Sequence, residues 1–81
     1  MTRTELNKLH QKHLEYLMDN SPTDYIIEDR GIDTFKNPCS EFVTSAGGDV
    51  TVYRVMGYGP EFKIYIYWGI ICLDYLYVNL N

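Results

Sequence analysis

Two histidines and two cysteines carry the side chains best suited to metal binding or nucleophilic chemistry. His10 and His13 stand three positions apart, so two imidazoles could share one face of a helix. A zinc site needs further ligands, and Cys39 and Cys72 are far apart and match no zinc or redox spacing. The same residues could form a Cys–His pair, but no motif supports one. We expect no metal site and one half-buried and one wet imidazole. We expect two buried free thiols, with one disulfide between Cys39 and Cys72 as the alternative.

The other candidate for chemistry is the glycine-rich stretch Gly57-Tyr58-Gly59-Pro60. It contains G-x-G but lacks the strand-to-helix context of a dinucleotide-binding loop, so it predicts a turn. Ser40 and Ser45 have no nucleophile elbow around them. We therefore predict no catalytic residue, no cofactor and no enzymatic activity.

The charge of the chain disfavours a general nucleic-acid binder. Seven basic residues stand against 11 acidic ones, for a net charge of −4, and phosphate binding depends on Lys and Arg. The acidic excess is concentrated between residues 19 and 33, where Asp24, Glu28 and Asp29 are candidate contacts for a basic partner. Of the two interpretations we favour the other, that these acids form the solvated side of a helix.

The length of 81 residues predicts a single domain over 1–81. The N-terminal residues have no apolar signal core. The apolar stretch from Ile64 to Leu73 is too short for a membrane helix, which needs about 20 residues. We expect a cytoplasmic protein with no membrane association.

The predicted secondary structure divides the chain into two parts. Residues 1–47 are predicted to be mainly helical. A capping box at Thr2–Glu5 begins a first helix, which ends at Asn20-Ser21-Pro22. A short second helix would bury Tyr25–Ile27 and stop at Gly31. In 38–46, apolar residues at i, i+3, i+4 and i+7 favour a third helix, with a strand as the competing interpretation.

Residues 49–80 change to a period of two and predict a β-meander. Val50–Met56 and Phe62–Trp68 should form a hairpin, and Cys72–Leu80 a third antiparallel strand. The predicted fold class is therefore α+β, with two or three N-terminal helices packed on one face of a C-terminal three-stranded antiparallel sheet. The chain path between Trp68 and Asp74 stays open.

A turn centred near Gly59 would place Tyr53 opposite Tyr65, and Thr51 opposite Tyr67. The opposite face would hold the core residues Val50, Val52, Met56, Phe62, Ile64, Ile66 and Trp68. Tyrosine is enriched at interfaces because it joins a large ring to a polar tip, although it is also a good strand former on a wet face. The candidate binding residues on the open face are Tyr53, Lys63, Tyr65, Tyr67, Tyr75 and Tyr77. Whether Tyr75 and Tyr77 share this face depends on the chain path between Trp68 and Asp74.

Both sides of the third predicted strand are largely apolar, which in so small a domain suggests cover from a second chain, as in a symmetric homodimer. We therefore predict a non-enzymatic protein-binding module that inhibits or regulates a larger enzyme or complex, of the antitoxin or phage counter-defence kind. The alternative is a small-molecule binder that stacks its tyrosines on a nucleotide-type ligand, with a dimer interface as its site.

Overall fold

The structure of the chain, a computed structural model, describes residues 2–33, 38–57 and 59–81. In these residues one helix precedes five strands: α1 is Arg3–Asn20, β1 Ile26–Asp33, β2 Cys39–Ala46, β3 Asp49–Met56, β4 Glu61–Trp68 and β5 Ile71–Asn79. The strands form one antiparallel sheet in the order β1-β2-β3-β4-β5. The chain is α+β in outline, but the expected two or three helices on a three-stranded sheet are wrong.

Helix α1 begins and ends where its capping signals predict. Thr2 has an extended backbone, and its Oγ1 accepts a hydrogen bond from the Glu5 N–H at 3.2 Å. At the other end Ser21 is extended and Pro22 follows, and a proline ring cannot continue the helix. One side of the helix is buried, and it consists of Leu6, Leu9, His10, His13 and Leu17.

The two further segments expected to be helical, in 25–31 and 38–46, are strands. Residues 26–33 form β1, which pairs with β2 along its length apart from a register irregularity between Asp29 and Gly31. In β2 the apolar residues stand at helical spacing, yet burial alternates, with Ser40, Phe42 and Thr44 inside. A short apolar run is compatible with the period of a helix and with that of a strand. Residues 39–46 form the strand β2 because they pair with a neighbouring strand on each side.

The turn between β2 and β3 consists of Gly47 and Gly48. Their φ angles are 58° and 91°, and a type I′ hairpin turn requires positive φ at both central residues. Ala46 pairs with Asp49 across this turn. Glycine also commonly ends helices, which is why the same pair fits the expected helix over 38–46.

The β3–β4 pairing differs by one residue from the expected one. Tyr53 pairs with Ile66, and Arg54 pairs with Tyr65, so the expected pair of Tyr53 and Tyr65 is wrong. Val52, rather than Thr51, is the residue opposite Tyr67. Because side chains alternate along a strand, a shift of one residue moves every β3 side chain to the other face.

This shift exchanges two sets of β3 residues. Tyr53 lies on the face that α1 covers, where it packs against the core. Val50, Val52 and Met56, expected in the core, lie on the opposite face, and Val50 is half exposed.

Gly69 and Ile70 connect β4 to β5, and Trp68 pairs with Ile71 across the turn. A register irregularity follows between Ile66 and Tyr67. Beyond it, Tyr65 pairs with Tyr75 and Lys63 with Tyr77. The path that the sequence left open is therefore a hairpin, and it brings the tyrosines of β4 and β5 to one face.

The core lies between α1 and the middle of the sheet. Its buried apolar residues are Leu17, Phe42, Val55, Phe62, Ile64 and Val78. The rings of His13 and Tyr16 lie 4.8 Å and 5.3 Å from the ring of Phe62. Trp68 was expected in this core, but it lies at the end of β4 and is 66% exposed.

Candidate protein-binding surface

Helix α1 covers one face of the sheet and leaves the other face without a helix in the described part of the chain. His10 stacks on Phe42 with 5.0 Å between ring centroids, and the rings of His13 and Tyr16 pack against Phe62. Phe42 and Phe62 therefore point toward α1. Residues that alternate with them along β2 and β4 point away from it.

The face turned away from α1 carries four tyrosines on the neighbouring strands β4 and β5. Together with Lys63, we call Tyr65, Tyr67, Tyr75 and Tyr77 the tyrosine face. The rings of Tyr65 and Tyr75 stack with 6.0 Å between centroids and 28° between planes. Tyr75 and Tyr77 are more than half exposed, and Tyr65 and Tyr67 are half-buried. The result is a ridge of aromatic rings with accessible edges.

Arg54 adds a cation to the tyrosine face. Its guanidinium carbon lies 5.0 Å from the centre of the Tyr67 ring, within the range of a cation–π interaction. Its Nε also donates a hydrogen bond of 3.1 Å to Oε2 of Glu41. Two contacts therefore hold this charge beside the ring.

The end of the tyrosine face opens into a shallow pocket of about 330 Å³. Its lining consists of Pro38, Met56, Gly57, Glu61, Phe62, Lys63 and Tyr77. The pKa of the Tyr77 phenol is raised, first by desolvation and then by the hydrogen bond and charge of Glu61. Tyr77 therefore stays neutral at physiological pH and offers a hydroxyl at the pocket rim.

The acidic residues predicted as contacts do not lie together on one surface. His10 Nε2 lies 2.8 Å from Oδ1 of Asp29, in a hydrogen bond or an ion pair. The same Asp29 oxygen accepts a hydrogen bond of 2.8 Å from the Gly31 N–H. Glu28 alternates with Asp29 along β1 and lies 3.7 Å from Arg30. Asp24 is exposed in the turn before β1. Asp29 thus has internal partners, whereas Asp24 and Glu28 face solvent.

Both histidines are buried, so the expectation of one wet imidazole is wrong. His13 is 1% exposed, and its Nδ1 hydrogen-bonds the Ser40 hydroxyl at 2.8 Å. Burial lowers the pKa of His13 to about 4, with the nearby charges of His10 and Lys12 contributing in that order. Ser40 is itself 0% exposed, so this pair is closed to a substrate and belongs to the packing of α1 on β2.

Cys39 and Cys72 are both free, as expected, but only Cys39 is partly buried, and Cys72 is exposed. Burial raises the pKa of the Cys39 thiol, which keeps it protonated. Across residues 2–33, 38–57 and 59–81, no three His, Cys, Asp or Glu side chains are grouped as metal ligands. No helix in the same ranges has the length and apolar character to cross a membrane.

The position of Arg54 was missed by the sequence reasoning. In the expected register, alternation along the strand would put Arg54 on the core side with Val52 and Met56, and a charged residue there should have indicated that the register was displaced by one. A second feature is an exposed apolar group at one end of β4 and along β5, which we call the apolar edge; the sequence indicated its β5 part through the apolar character of the third predicted strand. The apolar edge consists of Trp68, Ile70, Ile71, Leu73 and Leu76.

A scan against protein families, a search of curated proteins and a search of solved structures each find no match to this chain.

Proposed function

We propose that this chain is a non-enzymatic protein-binding module that contacts a larger protein through its tyrosine face and acts as an inhibitor or regulator of it. The observation that carries the proposal is the row of tyrosines on neighbouring strands of a sheet face that α1 does not cover. Tyrosine side chains bury much apolar area, lose few rotamers and keep a hydroxyl for hydrogen bonding.

The composition of the face also fits a protein partner. Its aromatic rings lie beside Lys63 and Arg54, with Glu41 and Glu61 close by, so both signs of charge are present. Aromatic residues and Arg are the residue types enriched in the centre of interfaces. Asp24 and Glu28 remain additional candidate contacts for a basic region of the partner, since both are exposed.

The test is affinity capture from a lysate with the wild-type chain and single Tyr→Ser variants. Tyr75→Ser and Tyr77→Ser remove exposed rings of the tyrosine face, and Tyr25→Ser makes the same change at an exposed position outside it. We expect the first two variants to lose a captured protein that wild type and Tyr25→Ser retain. Circular dichroism should show that all variants fold. Equal capture by all variants would overturn the proposal.

A second candidate function is the binding of a small molecule in the pocket beside Tyr77. Its volume of about 330 Å³ lies at the lower end of ligand pockets, roughly 300–1,000 Å³. Lys63 offers a cation and Tyr77 an aromatic ring for a nucleotide-type ligand. In this case nucleotides should raise the melting temperature of wild type and not of Lys63→Ala. No shift by a nucleotide panel would exclude this candidate.

A further inference from the structure

We infer that β5 pairs antiparallel with β5 of a second copy of this chain, which joins two five-stranded sheets and makes their tyrosine faces one surface. The role given to the joined surface rests on the proposed function. The pairing itself stands on the β5 edge and can be tested alone.

Strand β5 is the last strand in the order of the sheet, and its outer edge is less protected against further pairing than that of β1. Its register is irregular at Leu73, but the segment Tyr75–Asn79 beyond it pairs regularly with β4 and has no charged residue. The strand is nine residues long, and Asp74 is its one charged residue. Every residue from Ile71 to Tyr77 is exposed. Natural edge strands are normally short, charged, bulged or covered, because an unpaired backbone edge is a template for another strand.

The opposite edge of the sheet, β1, is protected. It carries Glu28, Asp29, Arg30 and Asp33, and its register is broken between Asp29 and Gly31. A register irregularity is present in both edge strands, so the difference lies in charge: the four charged residues of β1 discourage pairing more than the single Asp74 of β5 does. A head-to-tail contact of β5 with β1 would also leave free edges and continue into a filament, whereas β5 with β5 closes after two copies.

Exposed apolar side chains surround the β5 edge. Eight large side chains of the β4 end, the turn and the C-terminal segment are between 45% and 98% exposed, namely Trp68, Ile70, Ile71, Leu73, Tyr75, Leu76, Tyr77 and Leu80. An aromatic side chain has roughly 150–250 Å², so the group exposes on the order of several hundred Å² even without Tyr75 and Tyr77, which stay accessible in the joined surface; a standard interface removes about 800 Å² per partner.

The total surface of the chain points in the same direction. It exposes 5715 Å², whereas a folded monomer of 9.5 kDa is expected to expose about 5,000 Å². The excess of exposed surface over this expectation is similar to the area of about 800 Å² that each partner buries in a standard interface.

The position of Asp74 excludes one register. A two-fold axis at Asp74 would bring two carboxylates opposite each other, which destabilises a strand pair. An axis at Tyr75, the register that we propose, places Asp74 opposite Leu76 of the partner subunit and Tyr75 opposite the partner subunit's Tyr75. In this pairing the Tyr75 N–H exchanges its 2.7 Å hydrogen bond to Asp74 Oδ1 for one to a backbone carbonyl of the second copy. An axis perpendicular to the sheet keeps both tyrosine faces on the same side and both α1 helices on the other, so the tyrosines of two copies form one continuous row.

The test measures the molar mass of the full chain by sedimentation equilibrium over a wide concentration range. Wild type should show twice the chain mass of 9.5 kDa. Leu76→Lys puts a charge into the paired edge and should weaken dimerisation at least tenfold. Val50→Lys makes the same change at a site of similar exposure, 52% against 49%, outside the interface, and should remain dimeric. Circular dichroism establishes that both variants fold.

Hydrogen exchange locates the interface. The backbone amides of β5 should become more protected as the protein concentration rises, and those of β1 should not. A wild type that stays monomeric, equal dimerisation of the two lysine variants, or a dimer without concentration-dependent protection in β5 would each overturn the pairing. A monomer whose capture still depends on Tyr75 and Tyr77 would remove the dimer and keep the proposed function. A dimer whose capture of a partner does not depend on Tyr75 and Tyr77 would keep the β5 pairing and remove the proposed function.

Discussion

Protonation of His13 should destabilise the fold in mildly acidic solution. The imidazole is 1% exposed, its Nδ1 is bound to Ser40, and its buried Nε2 meets no hydrogen-bonding group among the described residues. A charged imidazole at this place would lose its hydration without gaining a counter-ion. For that reason its pKa falls from 6.5 in the unfolded chain to about 4 in the folded one.

The size of the effect follows from this difference in pKa. The unfolded chain binds the proton first as the pH falls, so stability is present above pH 6.5 and is lost progressively between 6.5 and about 4. At about 1.4 kcal/mol per pKa unit, the full loss is about 3 kcal/mol, and about 2 kcal/mol of it is reached at pH 5. For a chain of this size that is a large share of the free energy of unfolding.

The assay is urea unfolding at pH 7.5 and pH 5 of wild type and His13→Gln, which keeps a hydrogen-bonding side chain beside Ser40 but does not titrate. The variant should show a smaller difference between the two pH values, by about 2 kcal/mol. An NMR titration of the His13 ring in the native protein should give a midpoint near 4. A midpoint at 6.5, or the same pH dependence in both proteins, would refute the reasoning.

Three further predictions test the fold, each by the free energy of unfolding. Thr2→Ala removes the acceptor of the Glu5 N–H and should cost about 1 kcal/mol; no loss would mean that the cap is not formed in solution. Gly57→Ala would put a Cβ 2.6 Å from the Glu61 carbonyl oxygen and should destabilise the chain by about 1–3 kcal/mol. Tyr53→Ser should cost about 2–4 kcal/mol because Tyr53 packs on the core, and Tyr75→Ser less than about 1 kcal/mol. Equal losses for the two tyrosines would contradict the observed register.

The sequence predicts those parts of the fold whose signals are local and unambiguous. The cap at Thr2 and the proline at position 22 define α1, and the period of two from Asp49 onward identifies β3, β4 and β5. The strands β1 and β2 could not be assigned in the same way. Short runs such as Ile26-Ile27, or apolar residues that happen to stand at helical spacing in 39–46, take their conformation from the neighbouring strands.

The candidate site depends on register, which the sequence fixes less well than strand identity. The sequence is compatible with two turn centres half a residue apart, which shift the pairing by one residue, and only one of them brings Arg54 rather than Tyr53 to the open face. Tyr65 and Tyr67 were placed on the correct strand in either case. Tyr75 and Tyr77 lie on the tyrosine face because the chain forms a hairpin at Gly69 and the register is irregular after Ile66. Neither feature has a distinctive sequence signal.

The match between strand order and chain order has a kinetic consequence. Each strand of the described sheet pairs with a neighbour in sequence through a short connection, so the sheet contacts have small sequence separation. Folding rates rise as contact order falls, and hairpins of this kind form within microseconds. The long-range step is the docking of α1 on Phe62, which closes a loop of most of the chain. We expect the sheet to form first and the helix to lock onto it in the rate-limiting step.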